Sequence, residues 1–313
     1  MTERAGAAWL ARRLALGVLV VFGAATVAFV AFHLVPGDPV RVLLGGQTPT
    51  PDQLAEVRGR LGYDRPILAQ YASFIGQLLR GDLGYSFQAQ EPVSHLIGSQ
   101  LPQTLELAAA ALALALAASA ALAVATAGRR PVLRGVSGLL ELIAISTPGF
   151  WVGVLLLTFF SFRLRLFPAV GSQGVGSLVL PSVTLAIGLV GVFTQVLRAG
   201  IERALDEPFV LSSRARGTGQ GAVRRRHALP HALVPLISLS GWTVGALLSG
   251  SVIIETIFSR QGLGRVVATA VAGRDLPVIT GVTVVSAVGF TLVSVFVDWL
   301  SRVVDPRLRE VAI

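Results

Sequence analysis

Apolar residues run along this chain in long uninterrupted blocks rather than alternating with polar ones. Six blocks stand out, at about 14–35, 102–127, 137–162, 178–200, 233–258 and 278–304. Each is near or above the ~20 residues that a helix needs to cross the hydrocarbon core of a bilayer. Backbone groups in lipid must be satisfied within the segment, so blocks of this length are helices. The pattern predicts an all-α polytopic membrane protein with six transmembrane helices. The first block follows Arg12 and Arg13 in the manner of a signal peptide. Its apolar run exceeds the ~7–15 residues of a signal core and lacks a small-x-small site before Pro36, so it reads as an uncleaved span.

The segments between blocks are unequal. Residues 1–35 form an N-terminal segment with span 1. Residues 36–101 make a loop too long to be a simple connector. Within it Pro66 opens a stretch with helical period, placing Ile67, Tyr71, Phe74, Ile75 and Leu78 on one face. That face suits a cap resting on the bundle, or part of a docking surface for a soluble partner. Residues 102–313 form a core of five spans, interrupted at about 201–232 by a second extended loop. There Asp206 is placed to cap a short helix containing Phe209, Val210 and Leu211. Gly217 supplies its C-terminal break, followed by Gly219 and Gly221. Arg224, Arg225 and Arg226 begin a second helical stretch leading through Pro230 into span 5.

Composition agrees with lipid as the solvent. Charged residues make up 14% and hydrophobic residues 53% of the chain, with a mean hydropathy of +0.72. A soluble domain carries about 25% charged residues. The net charge is +9, and all 26 basic residues are arginine. They cluster between apolar blocks, which speaks for topology and not for a nucleic-acid partner. With the N-terminus in the cytoplasm, 16 of the 26 arginines fall in cytoplasmic segments, among them Arg129, Arg130, Arg134, Arg198 and Arg203. The positive-inside rule therefore puts the N-terminus, the 201–232 loop and the C-terminus in the cytoplasm and the 36–101 loop outside.

Several chemistries are excluded. A chain without cysteine has no disulfide, iron–sulfur cluster or thiolate zinc site. A chain without lysine has no phosphate-binding P-loop, so any ATPase that drives it is another polypeptide. His227 and His231 share a helix face, but Pro230 lies between them and no third ligand is near, so they read as structural histidines. Glu106, Glu141, Glu255 and Asp298 lie toward the ends of predicted spans; pairing with arginine accounts for all four. Gly241 and Gly245 allow close helix packing.

Ordered motifs along the chain carry a family resemblance. They are Leu34-Val35-Pro36-Gly37-Asp38-Pro39, Leu61-Gly62-Tyr63-Asp64-Arg65-Pro66, Arg80-Gly81-Asp82-Leu83-Gly84 and Leu101-Pro102-Gln103-Thr104-Leu105-Glu106-Leu107. Ser146-Thr147-Pro148-Gly149-Phe150-Trp151, Gly262-Leu263-Gly264-Arg265, Arg274-Asp275-Leu276-Pro277 and Asp305-Pro306-Arg307 follow. Together they resemble the first permease subunit of binding-protein-dependent ABC importers of the dipeptide/oligopeptide/nickel family. The family's cytoplasmic signature is a Glu-Ala-Ala triplet, a glycine six residues after its Glu, and a later Leu-Pro pair. Gly217 fits the glycine and Leu229-Pro230 the pair; Leu211-Ser212-Ser213 stand at the triplet, so the Glu is missing.

The resemblance implies a type I ABC importer permease fold and a non-catalytic subunit forming half of a path for di- or oligopeptides. Nickel or another small solute is the alternative cargo. It implies as partners a second homologous permease subunit, two ATP-binding subunits and an extracytoplasmic substrate-binding protein. ATP and Mg are used by the ATPases; this chain binds no cofactor. The segment that seats on the ATPase would comprise Glu207, the helix residues Phe209, Val210, Leu211, Ser212 and Ser213, and Arg214, Ala215 and Arg216 at its end. Gly217 and Gly219 would form the turn, with Leu229 and Pro230 leading into span 5. Arg214, Arg216 and Arg224 are placed either to pair with acids on the ATPase or to serve as positive-inside charge near anionic lipid; the resemblance favours coupling for residues 207–221 and leaves Arg225 and Arg226 to lipid. Two other readings fit less well. A stand-alone secondary carrier needs a mid-membrane titratable group and internal repeats, and an intramembrane enzyme needs a nucleophile–base pair or metal set. Neither is visible.

Overall fold

The computed structural model describes residues 2–34, 50, 55, 58–59, 62–86, 88–128 and 131–304. The motif residues 35–39, 61 and 305–307, together with Arg129, Arg130 and the C-terminus, lie outside the described residues. Among those described the chain is almost entirely helical. Four helices are long and apolar enough to span a membrane. They are α1 (Thr2–Leu34), α3 (Val93–Thr126), α6 (Gly174–Leu205) and α11 (Leu276–Val304). The fifth expected block lies in α9 (Leu229–Ile257). Helices α3 and α9 begin at Val93 and Leu229, and α3 runs through Pro102 without ending.

The third expected block is not one straight span. It divides into α4 (Pro131–Ser146) and α5 (Gly149–Leu156), the latter continued by a π-helical turn over Leu157–Arg163. The two arms meet at 99°. Sequence and cause coincide here. Proline disfavours the helical region for the residue before it and lacks an N–H of its own. Pro148 is extended (φ −58°, ψ 129°), and Thr147 closes the first arm by donating both its N–H and its hydroxyl to the Ile143 carbonyl. Hydropathy is blind to such a break because both arms are equally apolar.

The chain forms two compact units: Met1–Pro102 with Gly262–Leu292, and Gln103–Gln261 with Val293–Ile313. In the first, α2 (Ile67–Leu79) lies against α1. Tyr71 meets Phe29 at 5.1 Å and Phe22 at 6.3 Å, Phe74 meets Phe29 at 5.4 Å, and the Tyr71 hydroxyl pairs with Thr26 Oγ1 at 2.7 Å. The predicted apolar face of α2 is thus the packed one, except that Ile67 stays exposed. A short ribbon of β1 (Tyr85–Ser86) and β2 (Glu91–Pro92) pairs antiparallel, Tyr85 opposite Pro92. Ser86 Oγ donates to Asp275 Oδ2 at 2.5 Å. That bond ties the ribbon to the junction between α10 (Leu263–Gly273) and α11. Val93, Ile97, Leu263, Ala270, Val278 and Val282 form this unit's core.

The second unit packs α3, α6 and α9 around Ala115, Ala123, Phe193, Leu197, Ile201, Ala232 and Leu236. Its polarity is inverted relative to a soluble protein. Thr104, Thr184, Thr194, Arg198, Thr243 and Glu255 are buried, while Leu139, Leu142, Phe150, Trp151 and Phe296 face outward. Lipid removes the hydrophobic drive between helices, so small residues and internal hydrogen bonds hold them instead. Thr184, Thr194 and Thr243 donate to the carbonyl four residues back. Gly200 of α6 meets α9 so closely that an added methyl would lie 2.8 Å from Ala232 Cβ and 3.0 Å from its Cα. Gly200→Val is expected to destabilise the unit by about 1–3 kcal/mol through overpacking, read as a lower melting temperature of the purified protein.

Candidate functional site

The 201–232 loop folds as the sequence suggests, with two boundaries moved, the second helical stretch beginning at Gln220 rather than at Arg224. Helix α6 ends at Leu205, and Asp206 closes it as a C-terminal cap rather than opening the next helix. The N-cap of α7 (Pro208–Ala215) is Glu207, extended at φ −76° and ψ 147°, with no side-chain cap. Pro208 takes the first helical position, where a missing N–H costs nothing. Proline here and the restriction it places on Glu207 decide the boundary.

Helix α7 has two faces. Val210 (1% exposed) and Ser213 (2%) are buried, and Phe209 packs against the Ile201–Ala204–Ala228 core. The Phe209 ring lies 5.1 Å from the His231 ring, so a hydrophobic contact joins α7 to the start of α9. Ser213 Oγ donates to the Phe209 carbonyl at 3.0 Å. Leu211 is 70% exposed, and Ser212, Arg214, Ala215 and Arg216 are exposed with it.

Gly217 terminates α7 at φ +83°. Its N–H donates to the Arg214 carbonyl at 2.9 Å, and the Thr218 N–H to the Ser213 carbonyl at 3.1 Å. This pair of bonds is a Schellman C-cap, which needs a left-handed residue after the helix and so favours glycine. Gly219 differs: its φ is −64° and a methyl group there would touch nothing within 4 Å. It opens α8 (Gln220–Ala222), which passes through a π-helical turn at Val223–Ala228 into α9, where Leu229 and Pro230 form the first turn.

The arginines separate by burial. Arg214 and Arg216 are exposed, as are Arg225 and Arg226. Arg224 is buried, and its Nη2 donates to the Gly128 carbonyl at 3.3 Å. It therefore holds the end of α3, and the expectation that it faces an outside acid is corrected. Its i−1 neighbour Val223 is fully buried; a face holding an arginine in an Arg-Arg-Arg run is not separable by charge pattern alone.

Of the four acids expected to pair with arginine, Glu141 and Glu106 do so, and Glu255 accepts a threonine hydroxyl. Glu141 of α4 receives two bonds from Arg198 of α6, at 2.6 Å each, and one from Ser137 at 2.6 Å. Glu106 receives Arg260 Nη2 at 2.7 Å, and Glu255 receives the Thr104 hydroxyl at 2.7 Å. Among the described residues no three histidines or acids converge as metal ligands.

Residues 113–310 match the family described as the binding-protein-dependent transport system inner membrane component, and residues 7–108 match its N-terminal companion. The chain is 33% identical over 303 residues to the dipeptide transport system permease protein DppB of Lactococcus lactis, covering 96% of this chain and 99% of that one. It is 33% identical to the di/tripeptide transport system permease protein DppB of Pseudomonas aeruginosa, covering 96% and 98%. The glutathione transport system permease protein GsiC of Salmonella paratyphi A is 32% identical, covering 91% and 93%. The inward-facing MetNI methionine ABC transporter shares the fold with a TM-score of 0.53, at 20% identity, over 68% of this chain and 96% of that chain.

Proposed function

This chain belongs to the binding-protein-dependent transport inner-membrane component family, and from that premise we propose how it works as a peptide importer permease. It is a multi-pass protein of the bacterial inner membrane and the membrane-spanning subunit of an ATP-driven peptide importer. Its working partners are ATPase subunits and a substrate-binding protein. In the reading offered here it pairs with one homologous permease, each lining half the path, and two ATPases hydrolyse ATP with Mg outside this chain. Six spans put both termini and α7 on the cytoplasmic side. The 36–101 loop lies outside.

The observation that carries the reading is the two-faced α7 with its glycine-capped end. Phe209 anchors the helix to α6 and α9, with Val210 and Ser213 buried beside it, so a push on it is passed to both long helices rather than absorbed in a loose loop. The outward face offers Leu211, Ser212, Arg214, Ala215 and Arg216 to an ATPase groove. At the position of the signature's Glu this chain presents an exposed leucine, so the grip is apolar at its centre, with the two arginines at its rim. ATPase closure moves α7, and α6 and α9 turn that movement into alternating exposure of the path.

Reconstitution tests this. The chain with its partner permease, ATPases and binding protein should accumulate labelled dipeptide in an ATP-dependent manner, and the chain alone should move none. Solute movement by the isolated chain would overturn the reading. Leu211→Cys adds a thiol to a permease chain that has no native cysteine, and it should cross-link to the ATPase with a yield that changes on ATP binding. Leu211→Asp should cut uptake roughly tenfold or more while leaving assembly intact, because an exposed substitution rarely costs more than ~0.5 kcal/mol of stability.

A further inference from the structure

A cavity of about 460 Å³ lies in the first unit, walled by the end of α1, the 62–65 turn, α2, residues 82–85 and the first turns of α11. That volume falls at the small end of the ~300–1,000 Å³ typical of ligand pockets. Its shape is held by its own bonds. Gln70 Nε2 donates to the Tyr63 and Arg65 carbonyls at 3.1 and 2.8 Å, and its Oε1 meets His33 Nε2 at 3.1 Å. Asp82 Oδ1 accepts the Gly84 N–H at 2.9 Å. Gly281 at the far wall touches Val93 so closely that a methyl there would come within 2.6 Å of it. The site is built before any ligand arrives.

Its chemistry is mixed in a particular way. Phe29, Tyr63, Phe74 and Tyr85 supply aromatic wall. Burial pushes the Tyr63 phenol from 10.0 up to about 12, so it stays neutral. Arg65 and Asp82 line the same cavity, and neither is engaged in an ion pair among the described residues. Ser73, Gln77 and Thr280 also line it, and their side chains make no hydrogen bond within the described residues. Among the described residues, a cation and an anion outside any ion pair, amide and hydroxyl side chains without hydrogen bonds, and aromatic wall match a small zwitterion with a peptide bond.

We propose that this cavity is a receiving site for short peptides with free termini, Arg65 taking the carboxylate and Asp82 the ammonium. This inference rests on the importer reading above and adds that the permease itself recognises the peptide ends, outside the membrane core. It limits length, since both ends must lie within one small cavity.

The test uses the complete permease–ATPase assembly in lipid nanodiscs, without binding protein or ATP, and tritiated alanyl-phenylalanine as probe. Wild type should bind it, and Arg65→Gln and Asp82→Asn should each weaken binding roughly tenfold. N-acetylated probe should lose the same factor on wild type and nothing further on Asp82→Asn; amide-capped probe should behave likewise with Arg65→Gln. That pairing of blocked end with variant separates a direct contact from a disturbed fold. Equal affinity for free and blocked probes would overturn the proposal. So would binding that appears only once the binding protein is added, because the cavity would then receive that protein's surface. Uptake in matched proteoliposomes with binding protein and ATP separates the two claims. Uptake without direct binding removes the cavity site alone; absence of any peptide uptake by wild type removes the importer reading.

Discussion

Gly217→Val is expected to uncouple ATP hydrolysis from peptide uptake while leaving the protein assembled in the membrane. Gly217 sits at φ +83° and is exposed, with nothing within 4 Å of an added methyl. The substitution therefore acts through the backbone and not through a clash. A left-handed conformation costs an L-residue about 1–2 kcal/mol, and a branched Cβ makes it a genuine outlier. The chain relieves that strain by giving up the two cap bonds to Arg214 and Ser213, and α7 then frays at its C-terminal end. A penalty of ~1.4 kcal/mol is a factor of ten in the population of the intact turn, so uptake should fall roughly tenfold or more at unchanged ATPase content. Gly217→Asn should keep much of the activity, since asparagine tolerates this region. Gly219→Ala should be neutral, because Gly219 is at φ −64° in open space. Uptake and ATP hydrolysis measured together in proteoliposomes decide it; full transport by the valine variant would remove the proposed turn from the mechanism.

The largest stability effect should come from the Glu141–Arg198 pair. Both side chains are buried (3% and 10% exposed), and the contact is bidentate. Removing one partner leaves a charge buried without its counter-ion, which costs about 3–5 kcal/mol. Glu141→Leu alone should therefore lower the melting temperature of the purified assembly sharply and reduce its yield. The double variant Glu141→Leu with Arg198→Met should recover most of the loss, because two apolar groups no longer need each other. The pair also joins α4 to α6 close to the Pro148 bend. There Gly191 lies near enough to Glu141 for an added methyl to fall 2.9 Å from its carbonyl oxygen. A double-mutant cycle by thermal unfolding measures the coupling. Additive single and double effects would show that the two side chains are not a unit.

Much of the candidate site was legible because its signals are local. Glycine after a short amphipathic stretch marks a left-handed cap, and Gly217 carries one. The inward positions of α7 were not legible. Eight residues hold too little periodicity to tell Phe209, Val210 and Ser213 from Leu211 and Ser212, and the face turned inward depends on where Ile201, Ala228 and His231 stand. Arg224 shows the same limit: three adjacent arginines look alike, and only the direction of the turn sends one of them to the Gly128 carbonyl. Asp206 has the propensity of an N-cap, but Pro208 decides where α7 starts and leaves Asp206 to close α6.

By itself the sequence determined the solvent, the helical class, the family and the lack of a lysine for a P-loop. Those follow from quantities summed along the chain: apolar block length, arginine placement, ordered motifs and missing residue types. Pro148 marks the break within the third apolar block, but its 99° angle is visible only in the structure; the tertiary fold alone decided the pairing of Glu141 with Arg198 and of Glu106 with Arg260, and the cavity lined by both Arg65 and Asp82. Each depends on residues far apart in the chain or on a bend that hydropathy does not register. In lipid, long helices form wherever apolar residues suffice, but which faces meet is settled by close contact and by polar groups finding partners.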